Sequence, residues 1–280
     1  MTGTHGTKLQ TDLNARFSDA PDMAALAPAS DLLATMTGRG SCRAFENRPV
    51  PMDVLRALCA IALSAPTKSD LQQRDIILLQ DADQRTALAD LVGGQAWVAD
   101  APMLAVFCGN NRRQRLIHDW HDIPFANDHL DAMFNAAADA AIALGAFVTA
   151  AEAAGLGCCP ISAVRNEARA VSDLLHLPDH VFPFAGLAIG YPAAPPRISK
   201  RLPLSVTCHV DRYDETGVRD AVRAYNRDRA QAQPYGTQRF TDTFGTSQDY
   251  GWSEDKARQY SAPERADFGA FLRDRGFSMD

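Results

Sequence analysis

The sequence predicts a chain of mixed α and β structure, and three observations carry that prediction. Apolar residues recur at helical spacing in several separate stretches, most clearly at Val54, Leu55, Leu58, Ala62 and Leu63. Two short runs, DIILLQ at 75–80 and MLAVFC at 103–108, read as strands with buried middles. The stretch 130–154 is almost all Ala and other apolar residues, the pattern of a helix buried on every side, often against a symmetry mate.

Residues 1–28 are polar, carry Pro21 and Pro28, and show little periodicity, so they read as a flexible arm or one lying on a partner. Residues 29–38 give a short helix around DLLATM. Pro51-Met52-Asp53 opens a helix through Ala65, and Pro66 ends it. The strand at 75–80 is followed by a helix at 83–92 and the strand at 103–108. A polar insertion rich in Arg, His and Asp covers 109–127. Gly155 and Gly157 terminate the long helix; a helix at 166–176 and a strand at 184–190 follow. From Asp214 the composition turns polar and charged. The division expected is an arm at 1–28, a core at 29–213 and a C-terminal extension at 214–280.

With 280 residues, 46% of them hydrophobic, the chain supports a sizeable core. A net charge of −6 gives no global attraction to nucleic acid or an anionic membrane. The most apolar run, 140–151, is shorter than the roughly 20 residues that span a bilayer. Six cysteines occur without a C-x-x-C pair, which argues against a disulfide framework or zinc site and for a reducing cytoplasm. Residues 1–6 show no basic leader pattern, in keeping with a cytoplasmic protein. His118, His121 and His129 match no zinc spacing.

In the segment TGRGSCRAF at 37–45, Arg39, Ser41 and Arg43 alternate with small or apolar residues. If it is extended, those three side chains share one face. Two guanidiniums flanking a hydroxyl suit a phosphate, since Arg presents a planar fork of donors. A polar loop with salt-bridged arginines would look the same.

Seven segments, in order, resemble the FMN-dependent nitroreductase superfamily, in particular its oxygen-insensitive NADPH nitroreductases and NADPH-flavin oxidoreductases. They are RGSCRAF at 39–45, SAPTKSDLQQ at 64–73, LVGGQAWVAD at 91–100, GLGCCPISAVRN at 155–166, LHLPDHV at 175–181, the run from Phe184 to Pro192, and KRLP at 200–203. The resemblance implies an α+β nitroreductase-like fold, a small central sheet flanked by helices, assembled as an intertwined homodimer.

It further implies an FMN-binding core and an FMN-dependent NAD(P)H oxidoreductase, with NADPH or NADH as co-substrate. Hydride would pass through flavin N5 to an electron-poor small-molecule acceptor (a nitroaromatic, quinone, flavin or similar) in a ping-pong order. Carried over residue by residue, Arg39, Ser41, Arg43 and Arg201 would meet the FMN phosphate and ring edge. Lys200 lies one place from the branch's usual lysine. Thr67, Ser69 and Gln72 would lie in a loop of small residues against the flavin, although the asparagine usual there is absent. Gln95 would reach a ring heteroatom after the Gly93-Gly94 turn, which could equally just close the preceding helix. Pro160, Ile161 and Ser162 would pass over one flavin face; Ser162 and Ala163 replace the branch's glycines. No side chain need act as a general acid or base, so no catalytic residue and no metal ligand is expected, and Cys158 and Cys159 read as packing. In the related branch an arginine of the extension meets the NADPH 2′-phosphate, and Arg239 is the first choice here. Two alternatives stay open: another flavin chemistry on the same scaffold, or a non-catalytic FMN-binding protein.

Overall fold

The structure, a computed structural model, describes residues 2–22 and 31–280. Part of the expected arm, residues 23–28, and the first two residues of the helix expected at 29–38 lie outside the described residues. The chain divides into two compact units.

The larger unit, Ser41–Pro196 with Arg265–Asp280, is built on a four-stranded antiparallel sheet in the order β1-β2-β4-β3. The strands are β1 (Arg74–Leu79), β2 (Met103–Asn110), β3 (Gly157–Ile161) and β4 (Val181–Gly190). Every residue of β2 is buried, because both sheet faces are covered. On one face, Ala105, Phe107, Leu187 and Ile189 pack against α3 (Met52–Leu63) and α7 (Leu130–Ala153). On the other, Leu104, Val106 and Ala188 meet Leu88 of α4 (Ala82–Leu91) and Val171 of α8 (Ala168–Leu174). A third cluster joins Phe182 to Phe271 and Leu272 of α13 (Phe268–Asp274). Asp81 caps α4 by accepting from the Gln84 N–H at 2.9 Å. The short α5 (Ala96–Ala99) leads into β2.

Helices α3 and α7 and strands β1, β2 and β4 lie close to where the sequence places them. Three features differ. The insertion at 109–127 contains a helix, α6 (Arg112–Trp120), which the sparse apolar residues did not announce. Residues 157–161, read as a passing segment, form edge strand β3; Pro160 is tolerated because an edge strand need not use every N–H. The helix expected at 166–176 begins at Ala168, after a 3₁₀ turn at Ser162–Arg165. Helix α7 is long and apolar enough by length and composition to cross a membrane, yet it packs on the sheet and carries Asp139, which is only 1% exposed. It is not buried all round: within one chain Phe134 is 64% exposed, and Ile142 is exposed one further stretch along.

The smaller unit joins the residues up to Gly40 to Arg197–Glu264. Residues expected in an arm form α1 (Thr2–Arg16), which packs on α2 (Asp31–Gly38). Asp19 accepts the first N–H groups of α9 (Leu204–Thr207), from Leu204 at 2.6 Å and Ser205 at 2.7 Å. Helix α10 (Val218–Ala232) meets α12 (Trp252–Gln259) through Tyr225 and Trp252, rings edge-on at 5.3 Å, and α11 (Thr241–Phe244) lies in the connection between them.

Candidate functional site

Residues 42–46 are pinned as an extended segment beside β3. The Cys42 N–H donates to the Cys158 carbonyl at 3.0 Å, and Glu46 N–H to Tyr191 at 2.8 Å. Ser41 and Arg43 are exposed, whereas Cys42 is half-buried against Gly157. A Cβ at Gly157 would lie 2.6 Å from the Cys42 sulfur, so glycine is required there by packing. The alternation expected from the sequence is therefore realised for Ser41 and Arg43.

The Arg43 guanidinium sits 5.5 Å from the Trp97 ring centre. The Trp97 indole N–H donates to Gln95 Oε1 at 2.9 Å, and Gln95 Nε2 to the Val92 carbonyl at 3.3 Å. Arg43, Trp97 and Gln95 thus form one row; Trp97 lies inside a recognised motif, but its role was not foreseen. Gly93 and Gly94 precede it at φ of +93° and +60°, left-handed conformations that glycine takes without strain, and an added Cβ on either would meet nothing within 4 Å. The row is open on that side.

The loop at 67–73 is held from beneath. Ser69, Asp70 and Gln72 all have positive φ, at +48°, +58° and +54°. Such backbone costs on the order of 1–3 kcal/mol per residue and persists only where the surroundings enforce it. The enforcing group is Asp139 on α7, whose two carboxylate oxygens accept the N–H groups of Lys68 and Gln73, each at 2.9 Å. Arg113 Nη1 donates to the Gln72 carbonyl at 2.8 Å and Gln114 Nε2 to Leu71 at 2.9 Å. The buried Arg74 donates to the Leu63 carbonyl at 2.6 Å, fixing where α3 gives way to the loop. Thr67 is half-buried, while Ser69 and Gln72 are exposed, with Gln72 Nε2 donating to Asp70 at 3.1 Å.

On β3, Pro160 is exposed and Ile161 is core, so Ile161 offers only its backbone. Ser162 is exposed and accepts from Arg265 Nη2 at 3.3 Å. Burial pushes the Cys42 thiol above its ordinary range, with a smaller contribution from Cys159, which removes the thiolate a nucleophile needs. Cys158 and Cys159 are buried, in line with packing.

In the smaller unit, Arg16 gathers the other predicted basic positions. It is only 7% exposed and donates through Nε to the Thr37 carbonyl at 2.6 Å and through Nη2 to the Arg39 carbonyl. Its own carbonyl accepts the Arg201 N–H at 2.8 Å. Arg39 and Arg201 are therefore fixed to one another through backbone, and Arg201 is left exposed. Gly40 is obligatory, since a Cβ there would lie 2.4 Å from the Arg197 carbonyl. The Lys200 carbonyl accepts from the Tyr225 hydroxyl at 3.1 Å. Arg239 has a partner: its Nε lies 3.2 Å from Asp255, which is buried and also faces Lys256 at 2.9 Å. Burial alone would raise the Asp255 carboxyl, but Lys256, Tyr250 and Arg239 together hold it below its ordinary value.

Sheet topology separates the predicted residues of the larger unit into two groups. The 67–73 loop leads into β1 at Arg74, opposite Gly109, whereas Cys42 lies at the start of β3, opposite Gly190, with Gln95 just before β2 begins. The groups sit at opposite ends of the sheet, on the order of 20 Å apart from the rise along the strands.

The nitroreductase family profile matches residues 36–191, more than half of the chain. The chain belongs to the nitroreductase family. The profile of the nitroreductase family C-terminal domain matches residues 199–280. An FMN reductase [NAD(P)H] of Bacillus subtilis is 31% identical over 254 residues, covering 90% of this chain and 99% of its own length. An oxygen-insensitive NADPH nitroreductase of Salmonella typhimurium is 36% identical over 188 residues, 67% of this chain and 75% of its own. The solved structure of the NADPH:FMN oxidoreductase from Vibrio harveyi complexed with NAD+ superimposes with a TM-score of 0.76 at 26% identity, covering 88% of this chain and 98% of that one.

Proposed function

We propose that this nitroreductase is an FMN-dependent NAD(P)H oxidoreductase that reduces small, electron-poor acceptors. The observation that carries the reading is the open row of Arg43, Trp97 and Gln95 behind the Gly93-Gly94 turn, within a chain whose full-length relatives are named FMN and NADPH-flavin reductases. The residues fit a planar, phosphate-bearing cofactor. Arg43 and Ser41 present donors on one exposed face, the glycines leave room for a flat ring, and Gln95 places an amide at its edge. Arg39 and Arg201 keep the phosphate role given by the resemblance, and Thr67, Ser69, Gln72, Pro160, Ile161 and Ser162 their flavin contacts. Bound FMN would supply the hydride chemistry. The chain's residues supply charge for the phosphate, hydrogen bonds for the ring and a fixed loop backbone. Donor and acceptor take turns at the site, a ping-pong order that asks no side chain for a proton.

A homodimer accounts for the separation of the two groups: one chain cannot lay both the 67–73 loop and the Arg43 row on a single cofactor, so a second copy supplies the loop. The exposed Phe134 and Ile142 of α7, with Ile61 and Leu63 of α3, offer the apolar face for it. Free thiols at all six cysteines suit a cytoplasmic setting. Purified protein should be yellow, release FMN on denaturation and scatter light with twice the mass of one chain. Colourless protein that takes up no added FMN would sink the reading, and a monomer with tightly held FMN would sink the dimer.

A further inference from the structure

Helix α1 and the turn after it precede residue 36, where the match to the nitroreductase family profile begins. None of the motifs assigned to the cofactor explains them, yet their packing is specific. Leu9, Asp12 and Arg16 are 1%, 8% and 7% exposed, and their spacing of three and four puts them on one face of α1. Part of that face comes down on the last residue of α2. Lys8 and Asp12 pair at 2.6 Å, and a Cβ on Gly38 would lie 2.9 Å from each of their charged ends.

Arg16 completes the face and joins two distant segments. Its Nε donates to the Thr37 carbonyl at 2.6 Å and its Nη2 to the Arg39 carbonyl, while Nη1 lies 3.5 Å from the Ser199 carbonyl. The Arg16 carbonyl in turn accepts the Arg201 N–H at 2.8 Å. One residue therefore grips the backbone on which both Arg39 and Arg201 are mounted, through a fork of donors that no other side chain presents. The two segments run side by side where Gly40 meets the Arg197 carbonyl. Three residues after Arg16, the Asp19 carboxylate accepts the N–H groups of Leu204 at 2.6 Å and Ser205 at 2.7 Å. The chain is thus fixed both at Arg201 and just beyond it.

We propose that Arg16 and Asp19 form a clasp that sets the spacing of Arg39 and Arg201, and that this spacing selects a flavin bearing a phosphate over the same flavin without one. Two guanidiniums act together on one phosphate only while both reach it, and such a geometry fails when its donors are held about 1 Å too loosely. Arg16 is a positioning residue: its guanidinium is occupied by carbonyls, and it acts through Arg39 and Arg201. The inference rests on the reading of that pair as holders of the FMN phosphate.

The test compares FMN with riboflavin, which has the same ring and no phosphate, by fluorescence titration of the full chain freed of flavin. Arg16→Met keeps the length of the side chain and removes its donors. It should weaken FMN roughly tenfold and leave riboflavin within about twofold, so the preference for FMN shrinks. Asp19→Ala, at an exposed position, should shrink that preference by about threefold, and it decides the matter if Arg16→Met does not fold. A general loss of structure would weaken both flavins together. Equal loss of both, or unchanged FMN affinity in the variants, would overturn the clasp. Arg201→Ala judges the reading beneath it. If that variant loses FMN and the clasp variants do not, only the clasp fails; if Arg201→Ala holds FMN unchanged, the phosphate does not lie on this pair and both fail.

Discussion

Replacing Asp139 by Ala should weaken FMN binding without unfolding the protein. Asp139 is 1% exposed and accepts two backbone N–H groups at 2.9 Å, from Lys68 and Gln73. Alanine leaves the buried Gln73 N–H unmet, at about 1–3 kcal/mol, and frees the part-buried Lys68 N–H, which water can reach. Part of that is recovered as the loop relaxes, since Ser69, Asp70 and Gln72 leave their left-handed backbone. Re-forming the loop on the cofactor then falls on the binding step, so FMN affinity should drop by about 10- to 100-fold, equivalent to about 1.4–2.8 kcal/mol. Fluorescence titration of FMN well below the melting temperature reads this directly, with far-UV circular dichroism to confirm folding. Ala140→Gly, one residue along the same buried helix, is the control: at about 1 kcal/mol of helix stability it should lower Tm and leave FMN affinity alone. An Asp139→Ala protein that binds FMN within twofold of wild type would refute the positioning role.

Arg43→Ala removes a charge-assisted bond of about 1.5–3 kcal/mol and should weaken FMN by one to two orders of magnitude; unchanged affinity would reduce Arg43 to a packing partner of Trp97. Arg239→Ala leaves the buried Asp255 short of a partner, so the loss should be equal with NADPH and NADH, and a loss confined to NADPH would restore Arg239 as reader of the 2′-phosphate. Burial, with the Arg115 charge, holds the His180 ring below its ordinary pKa. The unfolded chain therefore takes up that proton first as pH falls, and the contribution of His180 to stability is lost below about pH 6.5. His180→Asn, which tolerates the left-handed φ of +62°, should flatten the fall in Tm between about pH 7 and 5.5, and an unchanged slope would assign that fall elsewhere.

Elements with strong local signals were legible in the sequence. Helix α3 has apolar spacing and a closing proline, and α7 is a long, nearly unbroken Ala-rich apolar run. Strand β3 was hidden because Gly-Cys-Cys-Pro carries no strand propensity; its pairing with β4 and its packing against Cys42 decide it. Helix α6 was hidden for the opposite reason: its residues are polar, and it is fastened by Arg113 on Asp75 and Arg115 on Asp128. The site divides in the same way. Arg43 and Gln95 stand in recognisable motifs. Asp139 was visible as a carboxylate beside an apolar run, but the N–H groups it serves are 71 and 66 residues away. Arg16 acts on Arg39 across 23 residues from a segment with little periodicity. Residues that contact a ligand leave local patterns, whereas residues that hold those contacts in place act through tertiary distance, which one sequence does not display.

The central claim, that the chain passes reducing equivalents from a nicotinamide donor through FMN, is tested most directly by anaerobic titration of the purified protein with NADPH. The account predicts that the visible flavin bands bleach with one equivalent of NADPH per bound FMN and return when an electron-poor acceptor is added. Flavin bands that persist through excess NADPH and NADH alike would contradict it.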